Sequence, residues 1–117
     1  AFDVSSSATA SCFIDARWLS LAEGGVVRDT RVVRGAGGAE NVSYEGIRCE
    51  TAERKLYAIG RGGEWVRSGN VEWARIADNA LNRQHAVLFK EYFCRPGEAR
   101  PVLDQIVRSL RYGALPR

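Results

Sequence analysis

The chain has 117 residues, of which 45% are hydrophobic and 26% charged, and its net charge at pH 7 is +3. These values fit one globular domain, residues 1–117, rather than two. No apolar run approaches the roughly 18 residues of a membrane-spanning helix, which excludes such a helix from the sequence. All but two of the 17 basic residues are arginine, and they alternate with acids. This pattern favours an ordinary mixed-charge surface, so nucleic acid is not the expected partner.

An antiparallel sheet is predicted over residues 11–60, after a small, polar and flexible lead-in at residues 1–10. Two-residue alternation, β-branched residues and glycine-containing turns mark four strands, at residues 11–21, 26–34, 41–50 and 54–59. The connections are too short for parallel crossovers, so the strands form a meander.

Side-chain alternation predicts which strand residues are buried. In the first strand one buried face is expected, consisting of Cys12, Ile14, Ala16 and Trp18. In the third strand the apolar positions change phase after Tyr44, and Gly46 at the change is the predicted position of a β-bulge.

A Trp-containing connection at residues 61–79 leads to a predicted helical layer at residues 80–112. The connection holds two near-copies of one pattern, Glu64–Arg67 and Glu72–Arg75. Apolar residues at helical spacing then predict two helices, one from Ala80 to Phe93 and one opened by Pro101. The predicted fold class is therefore α+β, a four-stranded antiparallel meander covered on one face by two C-terminal helices.

Three cysteines predict one disulfide and one remaining thiol. Cys49 ends a strand and Cys94 ends a helix, so their pairing would join sheet to helix in an oxidising compartment. Cys12 is then expected to be a buried, inert thiol, although a reactive role and pairing with Cys49 or Cys94 stay open. The three cysteines and His85 lack zinc-knuckle spacing, so no metal site and no cofactor are predicted.

The sequence predicts no catalytic residues. His85 is the one candidate base, and it falls on the apolar side of a helix. Glu45 could approach Asp29 or Glu50 across strands as a glycosidase pair would, but interleaved arginines favour ion pairing instead. We therefore expect a protein that is not an enzyme.

A possible functional patch brings together the predicted bulge and the tryptophans of the connection. Glu45 and Arg48 flank the bulge, and Trp65 and Trp73, if exposed, could form a stacking platform for bases or sugar rings. Burial of both tryptophans as part of the core is favoured over exposure. The patch is predicted to comprise Arg28, Glu45, Arg48, Trp65 and Trp73.

Several segments together resemble one family, the cryptic neisserial protein family, over roughly residues 24–112. They are Gly25–Arg28, the run NVSYEGIRC at 41–49, Lys55–Ala58, Trp65, Trp73 and Tyr92–Cys94. Cys12 and the pair Asp29–Thr30 depart from the pattern. The resemblance implies a small exported bacterial envelope protein whose biochemical function is unknown, and it carries over no catalytic residue.

The expected function is therefore that of an exported envelope protein, periplasmic or at the cell surface, acting as a non-catalytic binding or structural module with an unknown partner. Because the chain begins at Ala1 without Met, we expect a signal peptide to have been removed. One alternative is a basic module for an anionic polymer (nucleic acid, glycan or lipid headgroup), which requires Arg28, Arg31 and Arg34 on one exposed face. The other is a hydrolase with a carboxylate near Glu45.

Overall fold

The computed structural model describes residues 2–3, 10–35, 37–69, 72–77, 83–94 and 101–112. The strands are β1 (Phe2–Asp3), β2 (Ala10–Ala22), β3 (Val26–Gly35), β4 (Glu40–Arg48), β5 (Glu53–Arg61), β6 (Glu64–Arg67) and β7 (Ala74–Arg75). The helices are α1 (Arg83–Val87), a π-helix at Leu88–Phe93 that continues it, and α2 (Leu103–Tyr112). Asp78 and Asn79, whose side chains are suited to cap the first helix, lie outside the described residues.

The strands form one antiparallel sheet in the order β1-β2-β3-β4-β5-β6, with β7 also paired to β5. Strands β2 to β5 confirm the predicted meander, but the sheet has seven strands, so the prediction of four was wrong. The additional strands are two to four residues long and lie at the sheet edges, where alternation is too brief to be recognised. Residues from both Trp-containing repeats contribute to them, as β6 and β7.

The sheet has two distinct faces. The inner face packs on the helices and carries Ile14, Val27 and Ile47, each fully buried in the core. Residues paired directly across antiparallel strands share a face, so the register assigns Arg28, Tyr44 and Gly46 to the other face, the outer face.

Two register shifts modify the predicted alternation. In β2 the shift lies between Asp15 and Ser20, and it leaves Trp18 62% exposed instead of buried beside Cys12 and Ile14. The other lies between β4 and β5, where Tyr44 pairs with Ala58 but Glu45 pairs with Leu56, so the additional residue is Tyr57. The β-bulge predicted at Gly46 of β4 was therefore wrong, since the irregular residue is in β5. The change of phase in β4 arises because its apolar residues lie on two different faces of the sheet.

The helical layer is cross-linked to the sheet. A disulfide joins Cys49, just after β4, to Cys94 at the end of the π-helix, with a Cα–Cα distance of 5.5 Å. The predicted pairing is confirmed, and both pairings with Cys12 were wrong. Cys12 lies buried in the core, as expected.

Helix α2 packs on the π-helix through Ile106 and Leu110, and the Ser109 hydroxyl lies 2.8 Å from the carbonyl oxygen of Tyr92. Val102, just before α2, and Leu103, its first residue, are exposed. Within the described part of the chain, no helix has both the length and the apolar character needed to cross a membrane.

Candidate functional site

A cluster of charged and polar side chains is buried between the sheet and α1. Asp29 and Arg31 lie on the inner face of β3, Ser43 and Glu45 on that of β4, and His85 on α1. Asp29 and Arg31 have 0% side-chain exposure. We call these five residues the ionic cluster.

Glu45 is the residue that connects the members of the ionic cluster. Arg31 forms a bidentate pair with Asp29, at 3.0 Å from Nε to Oδ2 and 2.8 Å from Nη2 to Oδ1. Its Nη1 lies 3.5 Å from Glu45 Oε1. Glu45 also accepts a hydrogen bond of 2.5 Å from the Ser43 hydroxyl, and its Oε1 lies 3.0 Å from His85 Nε2.

The protonation behaviour of the ionic cluster follows from burial and from its charges. Burial opposes ionisation of Glu45, but Arg31 and the hydrogen bonds from His85 and Ser43 together lower the pKa of Glu45 to about 2. Burial lowers the pKa of His85, with Glu45 opposing and Arg31 adding to the shift. Burial raises the pKa of Asp29 against the pull of Arg31. Glu45 is therefore held as a carboxylate beside a neutral His85 near neutral pH.

The order of hydrogen bonds in the ionic cluster does not match nucleophilic catalysis. In a Ser-His-acid triad the histidine lies between the hydroxyl and the carboxylate. Here Glu45 lies in the middle, with Ser43 on one side and His85 on the other. His85 Nδ1 is buried, and no described residue forms a hydrogen bond with it. The predicted approach of Asp29 and Glu45 across strands is confirmed, with Arg31 between them as the ion-pair interpretation requires.

The outer face carries a second constellation, built from aromatic rings and cations. Tyr57 lies at the centre, with ring-centroid distances of 5.5 Å to Tyr44 and 6.5 Å to Trp73. Tyr44 in turn lies 6.3 Å from Trp65. The Tyr57 and Trp73 rings are perpendicular and pack edge to face, whereas the rings of the other two pairs are tilted, by 40° and 60°.

Three cations cover the faces of two of these rings. Arg48 lies 4.1 Å above the ring centroid of Trp73, and Arg28 lies 5.0 Å above that of Tyr57. Lys55 lies 5.4 Å from the centroid of Tyr57 and 5.9 Å from that of Trp73. Each such contact contributes about 0.5–1 kcal/mol at an exposed site.

Gly46 makes room for this packing. A Cβ atom at Gly46 would lie 2.8 Å from Cε2 of Tyr57, closer than carbon atoms approach in proteins. The bulge at Tyr57 in β5 therefore requires glycine at position 46 of β4, because the Tyr57 ring occupies the space that a Cβ at position 46 would fill.

Two adjoining grooves lie on the outer face. The first has a volume of about 490 Å³ and is lined by Lys55, Leu56, Tyr57, Ala58, Trp65, Arg67 and Ser68. The second has a volume of about 380 Å³ and is lined by Arg17, Trp18, Leu19, Ser20, Tyr44, Ala58 and Trp65. Trp65 and Ala58 line both, so the two grooves meet at the Trp65 ring. Glu45 lines neither of them.

The structure brings together four of the five residues of the predicted patch. Arg28, Arg48, Trp65 and Trp73 belong to the outer-face constellation. Glu45 belongs to the ionic cluster on the opposite face. Trp65 is 54% exposed, so its expected burial was wrong, whereas Trp73 is half-buried.

Sequence reasoning missed four further residues of the outer face, namely Trp18, Tyr44, Lys55 and Tyr57. A signal for one of them was present, because Tyr44 shares with Arg48 a phase of β4 whose residues are not core-facing. Reading both phases of the strand as functional faces would have found Tyr44. Trp18 and Tyr57 lie within register shifts, which the sequence did not reveal.

The arrangement required for the basic-module alternative is not found. Arg31 is fully buried on the inner face, so it cannot share an exposed surface with Arg28 and Arg34. Arg34 is exposed and pairs with Glu40 at 2.8 Å. Among the described residues, no group of three or more His, Cys, Asp or Glu side chains is placed to hold a metal ion.

The fold and the site define a disulfide-linked α+β protein with a buried ionic cluster on one face of its sheet and exposed aromatic residues on the other. Residues 1–111 match the CNP1-like family, and the chain belongs to that family, whose function is unknown. No curated protein and no solved structure matches the chain.

Proposed function

We propose that this protein is a non-catalytic binding module of the bacterial cell envelope and that the outer face of its sheet is the binding surface. The observation that carries the proposal is the exposure of Trp65 and Trp18 beside two adjoining grooves. Exposure of large aromatic side chains to water costs free energy. Several such side chains exposed together at a concave surface are typical of a binding site.

The disulfide supports the envelope location. Structural disulfides persist in oxidising compartments and are rare in the cytosol. The bond between Cys49 and Cys94 is buried, since both residues are core members. The sequence resemblance to small exported proteins supports the same compartment.

The ionic cluster supports a non-catalytic role. A general acid needs a raised pKa and access to substrate, whereas Glu45 has a pKa of about 2 and is buried among its partners. Its contacts serve to hold the inner face of the sheet against α1.

Two measurements test the proposal. Osmotic-shock fractionation of the native organism should release the protein with the periplasmic markers or leave it with the envelope. Benzoylphenylalanine introduced at Trp65 should then give a cross-linked adduct in living cells, whereas the same group at the exposed Arg108 of α2 should not. A cytosolic protein, or identical adducts from both positions, would contradict the proposal.

A further inference from the structure

The geometry points to an acidic oligosaccharide as the ligand of the outer face. Its sugar rings would pack on Trp65 and Trp18, and its acidic groups would pair with Lys55 and Arg67. This inference rests on the proposed binding function and specifies the chemical class of the ligand.

The two tryptophans supply the surfaces for sugar rings. Trp18 and Trp65 both line the second groove, and they are 62% and 54% exposed. No cation is placed over either ring among the described residues, in contrast to Tyr57 and Trp73. The negative face of an indole attracts the weakly positive C–H groups on the apolar side of a pyranose ring. These two rings are therefore open for stacking.

The charges that line the grooves select an acidic ligand. All charged lining residues of the two grooves are basic, namely Lys55, Arg67 and Arg17. Arg17 is partly neutralised by Asp15, at 2.9 Å. Lys55 and Arg67 form no salt bridge with any residue that the structure describes, so their charges are available to carboxylate or phosphate groups.

The adjoining grooves indicate an elongated ligand. Lys55 and Arg67 line the first groove, Trp18 lines the second, and Trp65 lines both. A single sugar can occupy one groove, but only a chain of several rings can contact both tryptophans and both cations at once. An oligosaccharide with a few acidic groups fits this distribution.

A single-stranded nucleic acid fits the outer face less well. Such ligands need a cationic groove that follows a phosphate at every nucleotide, with bases stacked on successive rings. Here the two groove cations without a salt bridge among the described residues, Lys55 and Arg67, both lie in the first groove. The rings of Tyr57 and Trp73 are covered by cations and are not open to bases. The disulfide also favours a compartment rich in glycans rather than nucleic acids.

The test is titration of the purified full chain, by calorimetry and tryptophan fluorescence, with four probes. They are galacturonate hexamer, the same hexamer with its carboxylates methyl-esterified, a phosphorylated mannan oligosaccharide of similar length, and a ten-nucleotide oligothymidylate. The acidic oligosaccharides should bind, and the esterified hexamer should bind at least about tenfold more weakly because it lacks the charges.

Matched variants locate the binding site. Trp65→Ala should weaken binding of the acidic hexamer about tenfold or more, while Tyr112→Ala, which removes an exposed ring from α2, should leave it unchanged. The double variant Lys55→Gln/Arg67→Gln should weaken binding similarly. Its control is Arg108→Gln/Arg111→Gln, which removes two exposed charges from α2 and alters the net charge equally.

The outcomes separate the ligand class from the binding function. Equal binding of the charged and esterified hexamers, equal effects of site and control variants, or tighter binding of the oligothymidylate would each overturn the acidic-oligosaccharide inference. If no oligosaccharide binds but benzoylphenylalanine at Trp65 still gives an adduct in cells that Arg108 does not, the ligand class is wrong and the binding function stands. If both fail, both are wrong.

Discussion

Replacement of Arg31 by Met tests whether the ionic cluster stabilises the fold as its geometry indicates. Arg31 is fully buried and is the cation beside two buried carboxylates, Asp29 and Glu45. Its removal leaves both without their counterion, and breaking a buried pair in this way costs about 3–5 kcal/mol. For a chain of this length the loss corresponds to a fall of about 10–25 °C in Tm. Urea denaturation at pH 7, followed by tryptophan fluorescence, measures the loss in the free energy of unfolding.

Two further variants show whether the loss is electrostatic. Arg34→Met removes an exposed arginine of the same strand, whose contact with Glu40 has the same 2.8 Å length as that of Arg31 with Asp29. Its expected cost is below about 1 kcal/mol, because exposed ion pairs contribute little. The triple variant Asp29→Leu/Arg31→Met/Glu45→Gln removes the stranded charges and should recover at least half of the loss. A cost below about 1 kcal/mol for Arg31→Met itself would refute the reasoning.

Three other predictions concern pH, the cross-link and the outer face. The carboxyl group of Glu45 has a pKa of 4.5 unfolded and about 2 folded, so it contributes about 3 kcal/mol above pH 4.5 that is lost as pH falls towards 2. Urea titrations of the wild type should show this slope, and those of Glu45→Gln should lack it. Replacing Cys49 and Cys94 by Ser should lower the free energy of unfolding by about 4 kcal/mol, from the lost constraint on a 45-residue separation, measured in the same way. Gly46→Ala should cost about 1–3 kcal/mol and change the near-UV circular dichroism of Tyr57, because the new Cβ displaces that ring.

The four long strands could be predicted because their sequence pattern is local. Alternation and glycine-rich turns placed β3 at 26–34, and the structure has it at Val26–Gly35. The edge strands could not be predicted, because β1 and β7 have two residues each and depend on pairing with a neighbouring strand. The exposure of Trp18 could not be predicted either. It follows from the register shift between β2 and β3, for which the sequence of β2 contains no signal.

The candidate site could be predicted only in part, and for a similar reason. Arg28, Arg48, Trp65 and Trp73 were selected individually from the sequence, but their common face depends on the register of three strand pairs. Charge alternation in β3 and β4 suggested cross-strand ion pairs but not their burial. The structure instead buries Asp29, Arg31 and Glu45, since α1 covers this part of the inner face and brings His85 to Glu45. Coverage by a helix some 40 residues away is a tertiary property that strand patterns do not contain.

The ionic cluster also explains why the outer face has a defined arrangement. Neighbouring residues of a strand point to opposite faces, so Arg28 and Asp29 occupy different faces, as do Tyr44 and Glu45. A slip of one residue between β3 and β4 would move the buried charges to the outer face and place Arg28 or Tyr44 in the core. The contacts Asp29–Arg31 and Ser43–Glu45 lie within single strands, but the contact between Arg31 and Glu45 joins β3 to β4 and depends on the observed register. A slipped pairing separates these two charges, and breaking a buried pair costs about 3–5 kcal/mol. The buried charges thereby fix the positions of the aromatic rings and cations on the outer face.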